Sequence, residues 1–170
     1  GMIQNIDDNF GKLMVHLEKW NALENTLVIF MTDNGMAMPK FKQNGKMRDA
    51  FNFNMKGAKN SPHEGGTHVP LFWYWKGKTP EATDISALTA HIDFYKTFCD
   101  LAGAKIPASP LPPRGRSLLP LLEKPKQASE NWEDRNLFFH IGRWDDKKWN
   151  KFTREESRYR GCAIRTKQWR

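Results

Sequence analysis

Cysteine is nearly absent from this chain: Cys99 and Cys162 are the two among 170 residues. A disulfide framework or a Cys-rich zinc site therefore does not carry the fold. No run of about 18 apolar residues occurs, which excludes a membrane-spanning helix. The segment also lacks a signal peptide, since no charged stretch leads into an apolar one at its start. Internal repeats and low-complexity tracts are missing. Aromatic groups, in contrast, are plentiful: 7 Trp and 11 Phe in a chain that is 39% hydrophobic. So many large apolar side chains repay the ordering entropy, and global disorder is excluded.

An excess of charge of one sign is missing from most of the chain. The net value is +8. From His140 to Arg170 there are ten Lys/Arg against four Asp/Glu, and before that seventeen against fifteen. The basic character thus sits in the last 31 residues. A general nucleic-acid binder more often carries a basic face throughout, so no nucleic-acid partner is expected.

Gly1 ahead of Met2 has the form of a residue left by tag removal. The chain then enters an amphipathic helix at once, and it stops in strand-like alternation at residues 163–170. Both ends predict a segment of a longer protein. The first helix is predicted over Met2–Trp20, with Ile3, Ile6, Phe10, Leu13, Met14 and Leu17 at helical spacing. Thr26–Met31 is a continuous apolar run that suits a strand buried on both faces of a parallel sheet. Residues 36–55 read as a long irregular loop. A second apolar strand is predicted at Val69–Trp75 and a helix at Leu88–Ala102, stopped by Gly103. Residues 117–122 read as a short helix or turn. Gln127–Asp134 reads as a polar linker, and Leu137–Ile141 and Arg158–Arg170 as two strands of a small separate sheet. Helix followed by buried strand is half of a βαβ pattern, so the class is α/β.

Two stretches carry candidate chemistry. Asp33-Asn34-Gly35 follows the first predicted strand, and ligands of open α/β sheets gather at the carboxyl ends of strands. A carboxylate beside an amide carbonyl offers hard oxygen donors for Ca²⁺ or Mg²⁺. The same tripeptide is also an ordinary turn sequence, and the residue types leave both readings open. The second stretch runs from Lys59 to Pro70. Lys59 offers a point charge to an anionic group, and His63 and His68 offer acid–base or ligand chemistry. Glu64-Gly65-Gly66 suggests a tight turn fixed by a carboxylate. Taken singly, each of these is equally a solvated loop residue.

As a set, in order along the chain, these residues resemble a known family. Asn5–Leu13, Thr26–Gly35, Lys59–Pro70, Thr89–Phe94, Leu101–Gly103, Arg114–Leu121 and Leu137–His140 resemble the rear part of the sulfatase catalytic domain, in the alkaline phosphatase-like superfamily. The resemblance implies a partial alkaline phosphatase-like sheet with flanking helices over residues 2–126. It implies the start of a small antiparallel C-terminal subdomain over 127–170. It gives Asp33 and Asn34 as late ligands of an active-site Ca²⁺, and Lys59 as a contact to the sulfate ester. Glu64, Gly65 and Gly66 take a structural role in shaping the site. His68 departs from the family pattern in detail, and its role is a weak substrate contact. The parent protein is expected in the periplasm or outside the cell.

The family's nucleophile is a formylglycine made within a C/S-x-P/A-x-R motif. Neither cysteine nor any serine of this chain satisfies that spacing. The early Asp-Asp metal pair and the upstream Lys and His are also absent. The expected function is therefore a sulfuric ester hydrolase fragment, inactive alone, whose substrate is a sulfate ester. Two alternatives stand beside it: a phosphodiesterase or phosphonate hydrolase of the same superfamily, and a non-catalytic module binding anionic polymers through the basic tail. Strands without neighbours expose sheet edges, so self-association is expected.

Overall fold

The computed structural model describes residues 1–37, 40–141 and 154–169. It divides into two compact units, each built from two stretches of chain: 1–30 with 72–132, and 31–71 with 133–170.

In the first unit, helix α1 (Met2–Lys19) follows the predicted periodicity. His16 and Lys19 in its last turn complement the helix dipole. Asn21, with φ of 53°, takes the chain out of the helix. A single 3₁₀ turn at Leu23–Asn25 leads to strand β1 (Val28–Met31). Phe10 of α1 meets Phe30 of β1 edge-on, with ring centroids 5.4 Å apart. Among the described residues β1 neighbours one strand, the later Leu71–Tyr74. Both strands are less buried than a parallel-sheet core predicts: Val28 is the one buried residue of the pair. Among the described residues each of the two strands has one hydrogen-bonded neighbour, so its outer edge is unpaired there.

The helix expected from Leu88 begins only at Asp93 and runs to Ala102. The reason is the Asp93 side chain, which is fully buried. Its Oδ2 accepts from the Ala90 N–H at 2.7 Å, a local turn that competes with helix in residues 88–92. Gly103, at φ 63°, closes the helix as expected. Asp93 Oδ1 also accepts from the Arg116 N–H at 2.9 Å. Thr97 Oγ1 donates to Asp93 O at 2.7 Å and accepts from the Leu118 N–H at 2.9 Å. This buried node anchors Arg116–Leu118 and delivers Leu118, Leu121 and Leu122 to the core, under Trp73, Phe94 and Trp132.

Residues Leu119–Glu123 form a short helix, with Pro120 in its first turn. The expected polar linker beyond it is partly helical, over Pro125–Glu130. Pro125 presets the first turn, and Ala128 and Trp132 pack against the leucine core. That packing outweighs the polar composition of the segment.

The second unit contains two antiparallel hairpins. Residues 36–55, expected to be irregular, hold β2 (Lys40–Gln43) and β3 (Lys46–Asp49), in register from Lys40↔Asp49 to Gln43↔Lys46. Asn44 and Gly45 form the connection with φ of 49° and 77°, the two positive values that a tight hairpin turn demands. Every strand residue is exposed, so no apolar alternation marked the hairpin. Residues Glu64–Thr67 form one helical turn, α2, before β4 (Leu71–Tyr74), which is shorter than the predicted Val69–Trp75. The expected C-terminal sheet is present as β5 (Leu137–His140) and β6 (Cys162–Arg165), antiparallel with Leu137 opposite Arg165 and Phe139 opposite Ala163. A helical turn at Arg154–Ser157 lies ahead of β6, which occupies only Cys162–Arg165 of the strand expected over Arg158–Arg170. Arg170, the last residue of that expected strand, lies outside the described residues, as do Arg143, Lys147, Lys148 and Lys151 of the basic tail.

Candidate functional site

The two chemistry-bearing stretches meet through their backbones in the second unit. Gly35 N–H donates to Gly66 O at 2.9 Å. Lys59 N–H donates to Met36 O at 2.9 Å. Only glycine permits this approach: a Cβ at Gly35 would overlap the Gly65 carbonyl oxygen. The reverse face is equally tight. A Cβ on Gly65 would overlap Gly57 O, and one on Gly66 would overlap Ala58 O and Ser61 O. The Gly65 N–H donates to Lys56 O at 2.8 Å. Gly35 and the Gly65-Gly66 pair thus let three backbone segments stack without side chains between them.

Asp33 is exposed and Asn34 half-buried, at the bend that follows β1. Asn34 Nδ2 donates to Gly35 O at 2.9 Å. This commits the amide nitrogen and leaves its carbonyl oxygen as the available donor atom. An Asp carboxylate and an Asn carbonyl suit a hard divalent cation in kind. They number two where Ca²⁺ takes about six to eight oxygens. Among the described residues no group of three or more His, Cys, Asp or Glu converges on a metal position.

The Lys59 side chain is exposed. Its backbone bond to Met36 sets it at the root of the Asp33-Asn34-Gly35 bend. No hydrogen bond or ion pair joins its ammonium to Asp33 or Asn34 among the described residues. His68 caps the C-terminal end of α2, and its Nδ1 lies 3.4 Å from Glu64 Oε1. The structure therefore gives His68 a carboxylate neighbour within its own turn.

Glu64 has a second partner that local sequence did not announce. Arg165 on β6 donates from Nη1 to Glu64 Oε1 at 2.8 Å, with the two side chains 22% and 12% exposed. Burial pushes the Arg165 guanidinium below its ordinary range. Its Nε is buried with no hydrogen-bond partner among the described residues. A carboxylate on α2 and a guanidinium on β6 thereby tie the glycine turn to the C-terminal hairpin.

A cleft of about 290 Å³ opens beside this turn, lined by Asn60, Ser61, Pro62, Thr67, Phe139, His140 and Ile141. It begins at the residue after Lys59.

A family model described as sulfatase matches residues 1–104. A second, for the C-terminal part of N-sulphoglucosamine sulphohydrolase, matches residues 58–170. The chain is 31% identical over 166 residues to the uncharacterized sulfatase YdeN of Escherichia coli, covering 91% of this chain and 27% of that protein. It is 30% identical over 129 residues to rat steryl-sulfatase, covering 76% of this chain and 22% of that one. It also superposes on the crystal structure of Ps i-CgsB in complex with k-i-k-neocarrahexaose. There the TM-score is 0.60 and the identity 36%, over 71% of this chain and 25% of that one. The chain spans about a quarter of the length of the relatives it matches.

Proposed function

This chain belongs to the sulfatase family, and on that premise we propose that it forms the metal- and sulfate-binding edge of a sulfuric ester hydrolase. The observation that carries the reading is the glycine-mediated docking of the Asp33-Asn34-Gly35 bend on the Lys59–Gly66 loop. It ties the backbone of the Asp33-Asn34-Gly35 bend to that of the Lys59–Gly66 loop, which supports a shared site although Lys59 lies 24 positions beyond Gly35 in the chain.

In this reading Asp33 and Asn34 hold a Ca²⁺. When bound, the cation neutralises charge on the sulfate oxygens and stabilises charge that grows as the ester bond breaks. Lys59 supplies a fixed positive charge to a sulfate oxygen, which strengthens in the transition state. Asn34 spends its nitrogen on Gly35 O, which leaves its carbonyl oxygen as the donor atom for the cation. His68 is a secondary contact whose ring lies beside the Glu64 carboxylate. The chain holds no formylglycine motif, so nucleophilic attack is not among its contributions, and the 170 residues alone turn over no sulfate ester.

The test is sulfate release from an aryl sulfate by the longest natural protein containing this chain. Lys59→Ala is expected to lower kcat/KM by about 10²–10³. Undiminished hydrolysis by that variant, or robust turnover by the 170-residue chain, overturns the reading. Terbium luminescence on the isolated chain checks the metal donors separately: Asp33→Asn is expected to weaken binding by about tenfold or more.

No helix among the described residues is long and apolar enough to cross a membrane. For the parent protein, periplasmic or secreted placement follows the family resemblance, and a protease-protection assay on fractionated cells tests it. The chain also self-associates in this reading. Edges of β1 and β4 that are unpaired among the described residues support that, as do exposed Ile3 and Ile6 on α1 and Tyr95 and Phe98 on the Asp93–Ala102 helix. A monodisperse monomer in light scattering at micromolar concentration would count against it.

A further inference from the structure

Two asparagine–glycine pairs occur in the chain, Asn34-Gly35 and Asn44-Gly45. We propose that Asn44 is a site of spontaneous deamidation to aspartate and isoaspartate, and that the hydrogen bonds around Gly35 protect Asn34 from the same reaction. This holds whether or not Asn34 ligates a cation, so it stands apart from the sulfate-ester chemistry.

The reaction is intramolecular and needs only water besides the chain. The glycine backbone nitrogen loses its proton to hydroxide or water and attacks Cγ of the asparagine. An N–Cγ bond forms and the Cγ–Nδ2 bond breaks. The side-chain nitrogen takes a proton from water and leaves as ammonia. The five-membered succinimide then adds water. Hydrolysis at Cγ gives aspartate, and hydrolysis at the main-chain carbonyl gives isoaspartate, whose main chain runs through Cβ and Cγ. Nothing is oxidised or reduced. Glycine in second place favours the attack, because no Cβ hinders its nitrogen and its backbone turns freely.

In Asn34-Gly35 both reacting groups are held. The Gly35 nitrogen, the nucleophile, donates its hydrogen to Gly66 O at 2.9 Å. The Asn34 Nδ2, the leaving nitrogen, donates to Gly35 O at 2.9 Å. Bringing the one to the carbon of the other requires the peptide between the two residues to rotate, which breaks the bond to Gly66. Gly35 is also packed where a Cβ would stand, against the Gly65 carbonyl. Both residues are half-buried. A geometry fit for attack is therefore reached only when the stack of Gly35 on Gly65 and Gly66 opens.

Asn44-Gly45 has the opposite setting. It is the two-residue tip of the β2–β3 hairpin, with φ of 49° and 77°. Both residues are exposed, as is every residue of the two strands. A two-stranded ribbon without a buried face is marginally stable in water, so the tip opens at little cost. Solvent reaches the reacting atoms directly. Isoaspartate then adds one carbon to the main chain of a turn that closes in two residues, which displaces the Gln43↔Lys46 register. The hairpin ages by this route while the Asp33-Asn34-Gly35 bend keeps its amide.

Peptide mapping by mass spectrometry with electron-transfer fragmentation tests both halves on the purified 170-residue chain, incubated at mildly alkaline pH. Labelled methyl transfer by an isoaspartyl methyltransferase gives a second readout. In the folded chain Asn44 is expected to convert at least about tenfold faster than Asn34, the factor that two ordinary hydrogen bonds impose. In guanidinium chloride the Asn34 rate is expected to rise toward that of Asn44, since both pairs are then unconstrained. Asn44→Gly keeps a residue suited to the left-handed tip and carries no amide. It is expected to remove most of the isoaspartate signal of the folded chain. An Asn44 that stays an amide, a folded-state Asn34 that converts as fast, or an isoaspartate signal that survives Asn44→Gly overturns the site. An Asn34 rate that guanidinium leaves unchanged overturns the protection.

Discussion

Arg165 Nη1 donates to Glu64 Oε1 at 2.8 Å across 101 residues of chain. Glu64 opens the helical turn whose next two residues are the glycines stacked beneath the Asp33-Asn34 bend. The pair therefore links the C-terminal hairpin to the frame that sets Lys59. Arg165→Met removes the guanidinium that faces this largely buried carboxylate. The expected loss is about 1–3 kcal/mol of stability, read from chemical denaturation. Arg165→Lys recovers part of it as a point charge. Equal stability of the Met variant and the parent would remove the strut from this account.

Gly35→Ala drives a methyl group into the Gly65 carbonyl oxygen. Both partners are backbone, so neither yields by a rotamer change. The expected cost is about 1–3 kcal/mol. Hydrogen exchange at the Lys59 amide, which is bonded to Met36 O, should accelerate with it. Gly11→Ala is the control, since a Cβ at Gly11 meets nothing within 4 Å. That change is expected to stabilise α1 by about 0.5–1 kcal/mol.

Thr97→Val tests the buried node of the first unit. Valine fills the same space, but the Leu118 N–H loses its acceptor and Asp93 O loses a donor. A stability loss of about 1–3 kcal/mol is expected, since a buried N–H is left unsatisfied. Asp93→Asn is expected to act in the same direction, because one of the Ala90 and Arg116 amides then faces an NH₂ group. Thermal unfolding followed by near-UV circular dichroism reports both through the core tryptophans.

Glu24 Oε1 lies 2.7 Å from Lys76 Nζ. This hydrogen bond, with the charge of Glu24, holds the Lys76 ammonium above its ordinary value of 10.5. The folded value is the higher one, so the contribution to stability is complete below pH 10.5 and is lost as pH rises through the folded value. The pair is exposed and screened by water, so its effect is small. Glu24→Gln should differ from the parent in denaturation midpoint at about pH 8 and converge with it as the pH rises through the folded value of Lys76. A difference that does not shrink with rising pH would assign the effect to something other than this pair.

Much of the fold was legible because its signals are local. The α1 periodicity, the apolar run at β1 and the Gly103 stop each lie within a few residues of what they determine. The Asn44-Gly45 turn was equally local, but an exposed hairpin carries no apolar alternation to frame it, so the segment read as loop. The helix at Pro125–Glu130 was hidden for the opposite reason: its composition is polar, and Ala128 and Trp132 secure it by packing on leucines whose position no local pattern discloses. Asp93 shortens its helix because its carboxylate is claimed by the Ala90 and Arg116 amides, and the second of these lies 23 residues away.

The sequence by itself determined the family, the identity of Asp33, Asn34 and Lys59 as the chemical candidates, the absence of a formylglycine motif, and the two-cysteine chemistry that excludes disulfide scaffolding. These follow from residue types and their order, which need no coordinates. Only the tertiary structure decided that Gly35 seats against Gly65 and Gly66, that Glu64 takes its guanidinium from Arg165, and that Asn60 and His140 share a cleft. Those relations depend on backbone approach and on burial, and both are set by distant parts of the chain meeting in space.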